Sequence, residues 1–215
     1  MKKLTVIASS LILAGMSATA VAASPEFFIG GQLGYQDNDL EAKFSEPGYG
    51  LSNDFSLSGV AGGLFTGVKF DVGNGMFIAP ELNVGTSDAD GTLEVTDGAD
   101  RTRVKAEAST SYGAGVLVGA DVTPSTSFYG RLGYQRTKYK LKGSVTGYGS
   151  SSDSEKFDGF RYGVGVENKL TPDVALRLDW SQTRYSSESY SYQSGEKMKF
   201  EPTESLFQVG VSYRF

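Results

Sequence analysis

The last eleven residues of the chain, Ser205 to Phe215, alternate between apolar and polar side chains. An extended strand points successive side chains to opposite faces, so the two kinds of residue lie on opposite faces of one strand. The apolar face includes an aromatic residue at position 215 and consists of Phe207, Val209, Val211, Tyr213 and Phe215. The other face consists of Gln208, Gly210, Ser212 and Arg214. Such a strand separates an apolar environment from a polar one.

The same period of two recurs along the rest of the chain. It is found within residues 27–35, 57–70, 78–84, 112–121, 128–135, 160–167 and 174–181, and the Gly-rich segment 57–70 is the least regular. With the last strand, the pattern predicts eight strands. The mean hydropathy of −0.24 would suit a soluble domain. A membrane barrel alternates lipid-facing and lumen-facing residues, however, so its average hydropathy is unremarkable.

Connections of two lengths alternate between these strands. Short ones, with turn-forming residues, lie at 71–75, 123–126 and 171–173, and long polar ones lie at 37–56, 87–102, 143–155 and 187–204. This alternation predicts an antiparallel up-and-down transmembrane barrel with short periplasmic turns and four longer extracellular loops. A soluble sandwich has little reason to sort its connections by length. A soluble lipocalin-like barrel remains the alternative.

The first 22 residues have the pattern of a secretory signal peptide. A basic start at Met1 to Lys3 precedes an apolar run from Leu4 to Ala14 and small residues at Ala20 to Ala22. We expect cleavage after Ala22 or Ala23, which assigns residues 1–22 to the signal and 23–215 to the barrel. The alternative, an uncleaved anchor helix, needs about 20 consecutive apolar residues, more than the run from Leu4 to Ala14 provides. The chain has no cysteine, which excludes disulfides and a lipidated N-terminal cysteine.

The segment Phe160 to Tyr185 joins a Gly-alternating strand, a Thr-Pro turn and an aliphatic strand that carries Arg and Trp. This segment carries the closest match to the small outer-membrane β-barrel family that includes OmpX, the OmpA membrane domain and opacity-type proteins, which the chain resembles over all of residues 23–215. The resemblance implies the cell outer membrane of a Gram-negative bacterium. It also implies, as partners, outer-membrane lipids and lipopolysaccharide, and the barrel assembly machinery during insertion.

The predicted inward face carries charges of both signs. These residues are Lys69, Glu81, Arg131, Arg161, Glu167, Arg177, Asp179 and Arg214. Eight strands enclose a lumen that side chains can fill, and buried charges need partners. The pattern therefore predicts an internal network of salt bridges. Two interpretations follow: polar packing that fills a closed barrel, or a narrow path for ions.

Catalysis is not favoured, because the chain contains no histidine. Barrel enzymes of the outer membrane, such as lipid A deacylases, palmitoyl transferases, phospholipases and omptin-type proteases, resemble one another in using a histidine in their catalytic sets, so their mechanisms do not carry over. Catalysis by a pair of carboxylates, as in glycosidases, is the one enzymatic alternative that the sequence leaves open. The sequence Asp88 to Gly91 resembles the start of a calcium loop but lacks the later ligands. We therefore predict no enzyme activity, no cofactor and no metal site.

A net charge of −5 makes nucleic acid an unexpected partner. We expect a monomer that presents loops for adhesion, envelope integrity or contact with host or surface ligands. The alternative function is a small diffusion pore.

Overall fold

The computed structural model describes residues 25–46, 49–97, 100–145, 149–186, 188–191 and 197–215. The described strands are β1 Glu26–Glu46, β2 Tyr49–Gly73, β3 Met76–Ser87, β4 Asp90–Asp97, β5 Asp100–Asp121, β6 Thr126–Val145, β7 Gly149–Lys169, β8 Val174–Tyr185, β9 Glu188–Ser191 and β10 Lys197–Arg214. The predicted signal peptide lies outside the described residues. None of the described residues belongs to a helix that is long and apolar enough to cross a membrane.

The strands form one antiparallel sheet that closes on itself. Strand β1 pairs with β2 on one side and with β10 on the other. Strands β3 and β4 are successive parts of one barrel strand, interrupted at Asp88 and Ala89, and β8 and β9 are parts of another. The described residues therefore form an eight-stranded up-and-down barrel, and the predicted architecture is confirmed.

The short connections lie at one end of the barrel. The start of β1 and the end of β10 lie at the same end. In the β2–β3 turn, Gly73, Asn74 and Gly75 have φ angles of 94°, 55° and 71°, a region that glycine and asparagine tolerate. In the other two turns, Thr123 and Thr171 accept backbone hydrogen bonds through their hydroxyl oxygens. These short turns therefore connect each strand directly to the strand beside it in the sheet.

Large apolar side chains cover the outer wall, which we call the apolar band. Its members are Phe27, Ile29, Leu33, Tyr35, Val60, Leu64, Met76, Ile78, Leu82, Val84, Tyr112, Val118, Phe128, Leu132, Tyr134, Phe160, Val164, Leu178, Trp180, Phe207, Val209, Val211, Tyr213 and Phe215. All five residues of the C-terminal pattern belong to it. Exposed apolar side chains in this number suit lipid rather than water. The band therefore marks the membrane-spanning part of each strand.

The segments expected to be long loops are mostly strand in the structure. Strands β1 and β2 stay paired out to Glu46 and Tyr49, and β6 and β7 stay paired out to Val145 and Gly149. Hydrogen bonding between neighbouring strands therefore continues well past the apolar band. The hairpins project from the membrane as sheet rather than as irregular chain.

The projecting wall is not continuous among the described residues. The pairing of β2 with its neighbour on the β3 and β4 side ends at Ser58 and Asp90, and that of β7 with β8 ends at Gly159 and Tyr185. Beyond these points the described strands form two sheets. One has the order β9, β10, β1, β2, and the other has the order β4, β5, β6, β7.

Candidate functional site in the barrel lumen

Glu81 on β3 lies at the centre of a buried set of charges. Its Oε1 atom is 2.8 Å from Nη1 of Arg131, and its Oε2 atom is 2.6 Å from Nη1 of Arg177. The Arg131 side chain is 5% exposed and that of Glu81 is 2% exposed. The alternation of strand residues explains this position, because Ala79, Glu81 and Asn83 share the inward face.

The charges continue in both directions from Glu81. Arg131 Nη2 lies 3.0 Å from Asp179 Oδ1, and Arg177 Nη2 lies 3.1 Å from Glu167 Oε2. Arg214 also donates to Glu167. The result is a chain of alternating sign, which we call the lumen charge network: Asp179, Arg131, Glu81, Arg177, Glu167 and Arg214.

Aromatic rings surround one member of this network. The guanidinium carbon of Arg177 lies 4.4 Å from the centre of the Phe65 ring, and it lies 5.3 Å and 5.4 Å from the rings of Phe28 and Tyr129. Ring faces attract a cation, more strongly where water is excluded. Arg177 is therefore held by carboxylates and by rings together.

Lys69 lies apart from the lumen charge network, at the short-turn end. Its Nζ atom is 3.1 Å from Oδ1 of Asp121, and it lies over the ring of Phe77. Burial opposes the charged form of Asp121, but hydrogen bonds from Ser127 and Lys69 hold the pKa of that carboxyl below its usual value.

Arg161 has neutral partners. It donates to Oγ of Ser181 at 3.0 Å and to Oε1 of Gln208 at 3.1 Å. Among the described residues no carboxylate lies within salt-bridge distance of it. The structure thus brings six of the eight predicted lumen residues into one network and places Lys69 and Arg161 outside it.

A second buried group, which was not predicted from the sequence, lies beyond the apolar band. We call it the outer polar cluster: Gln36, Asn38, Thr137, Tyr139, Tyr185 and Glu204. Tyr185 donates to Glu204 at 2.7 Å, and Gln36 donates to the same carboxylate at 3.1 Å. Burial raises the pKa of Glu204. Asn38 and Glu204 fall in segments that were predicted to be loops, so no inward face was assigned to them.

Little open space remains beside these groups. Two cavities inside the barrel, one beside Arg131 and Arg161 and one beside Lys69 and Arg214, each have a volume of about 10 Å³. That is about the space that one water molecule needs. The described residues contain no group of three or more side chains suited to hold a metal ion. The arrangement fills the lumen with polar side chains, most of them ion-paired or hydrogen-bonded, while Tyr129 Oη, Arg131 Nε and Ser212 Oγ lack a partner among the described residues.

Comparisons with known proteins agree with this architecture. Outer membrane protein A of Salmonella typhi is 29% identical over 98 residues, which cover 46% of this chain and 26% of that protein. The chain thus spans about a quarter of the length of this curated relative.

Two solved structures share the fold. A major outer membrane protein of Thermus thermophilus matches with a TM-score of 0.53 and 15% identity, over 84% of this chain and 99% of that one. OprG of Pseudomonas aeruginosa matches with a TM-score of 0.52 and 13% identity, over 88% and 95%. The model of the outer membrane protein beta-barrel domain matches residues 6–215. Together with the closed barrel, this match shows that the chain belongs to the outer-membrane β-barrel domain family.

Proposed function

We propose that the protein is a non-enzymatic surface protein of the outer membrane, whose closed barrel supports projecting β-hairpins. In this proposal residues 1–22 are removed on export and the barrel works as a monomer. The lumen charge network is the observation that carries the proposal. The absence of histidine from the sequence supports a role without catalysis.

A closed lumen is favoured by the way in which the charges are shared. Glu81 is bound by two arginines, and Glu167 is bound by two as well. An ion that passed through would have to separate at least one of these pairs. Leaving one partner of a buried pair unpaired costs about 3–5 kcal/mol. This cost argues against a permanently open path for ions through the lumen.

The projecting hairpins are the part of the molecule best placed to meet a ligand. Strands β6 and β7 continue for about ten residues beyond the apolar band before they turn, a distance of about 30 Å along the strand. A hairpin of this length holds its tip far from the lipid. We propose host or surface ligands as the partners of these hairpins, and the barrel assembly machinery as the partner during insertion.

Single-channel conductance in a planar bilayer tests the closed lumen. We expect no stable conductance steps from protein whose folding is verified by heat-modifiable migration on a gel. Glu81→Gln, which weakens the network, should produce openings, and the exposed Asp37→Asn variant should stay silent. Stable, ion-selective steps from the unaltered protein would make it a small pore and overturn the proposal.

Deletion of hairpin tips tests the surface role. Removing residues 141–153 shortens the β6–β7 hairpin and leaves the apolar band intact. We expect binding to host cells or matrix to fall while heat-modifiable migration is retained. Unchanged binding after removal of each hairpin tip in turn would contradict a role in presenting hairpins.

A further inference from the structure

Cationic side chains are concentrated on one outward face of the barrel, directly beyond the apolar band. Arg136 and Lys138 lie on β6, Lys156 lies on β7 and Arg184 lies on β8. Their strand neighbours Thr137, Gly159 and Tyr185 are buried toward the lumen. The four cations therefore point away from the lumen, and we call them the basic face.

The register of β6 and β7 brings like charges together on this face. Lys138 lies directly opposite Lys156, and Arg136 lies directly opposite Asp158. Arg136 donates to both carboxylate oxygens of Asp158, with Nη2 2.6 Å from Oδ2. Within the described part of the chain, neither lysine forms a salt bridge. Like charges opposite each other destabilise a strand pair, so a bound anion would relieve a repulsion that the fold builds in.

The basic face lies at the height of lipid headgroups. Arg136 is two residues beyond Tyr134 of the apolar band and Lys138 is four residues beyond it, or about 7 Å and about 13 Å along the strand. The headgroup layer is about 5–7 Å thick on each side of the hydrocarbon core. Barrel strands are tilted, and a lysine side chain can bend toward this layer, so both cations reach it.

The face formed by β1, β2 and β3 has no such cations at this height among the side chains that the structure describes. On β1 the outward residues just beyond the band are Asp37 and Asp39, and Asp88 is exposed directly after the end of β3. Neither Lys nor Arg occurs at residues 36–39 of β1, 56–59 of β2 or 85–87 of β3, the parts of these strands whose side chains are described just beyond the band. The basic face is therefore a local feature of a chain whose net charge is −5.

We propose that the basic face binds the phosphate of a phosphorylated lipid in the outer leaflet. A lipid suits the face better than a soluble phosphate, because Tyr134 and Phe160 of the apolar band lie directly below the cations of β6 and β7, and Trp180 of the band lies four residues below Arg184 on β8. The guanidinium of Arg184 is 5.8 Å from the ring centre of Tyr162, which holds this cation against the wall. The acyl chains would lie on the band while the headgroup meets Lys138 and Lys156.

Trp180 provides the readout, because it is the one tryptophan of the chain and is 43% exposed on β8. The protein is refolded into phosphatidylcholine vesicles to which one lipid with brominated acyl chains is added, either phosphatidic acid or phosphatidylcholine. The bromine atoms quench the fluorescence of a nearby tryptophan. We expect phosphatidic acid to quench Trp180 at a several-fold lower mole fraction. This preference should fall with added salt.

Two lysine variants separate the basic face from net charge. Lys138→Gln and Lys156→Gln should each lower the preference for phosphatidic acid by up to about fivefold. Lys169→Gln, at the short-turn end, makes the same change in net charge and should leave the preference unaltered. Heat-modifiable migration verifies that each variant is folded.

Three results would overturn the proposal: equal quenching by the two brominated lipids, an equal loss of preference in Lys169→Gln, or displacement of phosphatidic acid by the same concentration of soluble glycerol phosphate. The last result would show a site for free anions. None of these measurements depends on conductance or on ligand binding by the hairpins, so the test is separate from those of the proposed function.

Discussion

At the scale of single residues, Glu81 is shared by two buried arginines and accepts a hydrogen bond from each. Glu81→Gln keeps the shape of the side chain but removes the negative charge on which Arg131 and Arg177 both depend. We expect the free energy of unfolding to fall by about 3–5 kcal/mol, as is usual when one partner of a buried ion pair is lost. Urea titration of the refolded protein in lipid vesicles measures this change.

The matched control is the pair at the short-turn end. Asp121 is 34% exposed in its salt bridge with Lys69, so water screens the interaction. Asp121→Asn should lower the free energy of unfolding by less than about 1 kcal/mol. Similar losses in the two variants would mean that burial does not decide the strength of these pairs.

Gly165 provides a test of packing in the lumen. A Cβ atom at this position would collide with the phenol group of Tyr129. We expect Gly165→Ala to lower the free energy of unfolding by about 1–3 kcal/mol, the usual penalty for overpacking. Gly31 faces the lipid, and the nearest atom to an added Cβ is 3.7 Å away. In the same urea titration, Gly31→Ala should change stability by no more than about 0.5 kcal/mol.

Glu204 makes stability depend on pH. Burial raises the pKa of this carboxyl, so the folded protein holds the proton more tightly than the unfolded chain. The stabilisation is therefore full below the ordinary pKa of 4.5 and is lost as the pH rises through the raised value. We expect Glu204→Gln, which imitates the protonated form, to resist urea better than the unaltered protein at pH 8.

That advantage should shrink as the pH falls toward 4.5, which a series of urea titrations would follow. The exposed Asp37→Asn variant serves as the control, because it makes the same change in charge outside the outer polar cluster. An advantage of Glu204→Gln that is constant with pH would contradict the assignment to this carboxyl.

At the scale of elements, Phe215 extends the pairing of β1 with β10 that closes the barrel. Phe27 and Phe215 exchange backbone hydrogen bonds of 3.3 Å and 3.0 Å between β1 and the end of β10, and their rings stack with centres 6.2 Å apart. Deleting Phe215 removes both bonds and the stack, so we expect a loss of about 2–4 kcal/mol in stability. Phe215→Leu keeps the backbone bonds and should lose less. The fraction that migrates as folded protein on an unheated gel measures both.

The strands within the apolar band could be predicted from the sequence, while their outer halves could not. Within the band one face meets lipid and the other meets the lumen, so a period of two appears in hydropathy. Beyond it, the outward face meets water, as at Asp37 and Asp39, while polar residues such as Gln36 and Asn38 face inward. Both faces are then polar, and the period disappears although the backbone pairing continues. This is why hairpins were predicted as loops, and why the outer polar cluster was missed.

At the scale of the whole molecule, the sequence predicted which charges face the lumen but not which of them meet. Glu81 on β3 contacts Arg177 on β8, across the barrel and 96 positions away. Such contacts depend on the stagger of all the strands, because stagger sets the height of each side chain in the lumen. No single strand carries that information. For the same reason Arg161, which faces inward as predicted, has Ser181 and Gln208 as partners rather than a carboxylate.

The separation of the projecting wall into two sheets has a consequence for the motions of the molecule. Inside the membrane every strand has two bonded neighbours, but beyond Ser58 and Gly159 the described parts of β2, β4, β7 and β9 each have one. Amide protons along these four edges are open to water, so they should exchange with deuterium long before those of the band. Because strand pairing between the two sheets ends at these points, each sheet can move independently of the other while the barrel within the membrane keeps its shape.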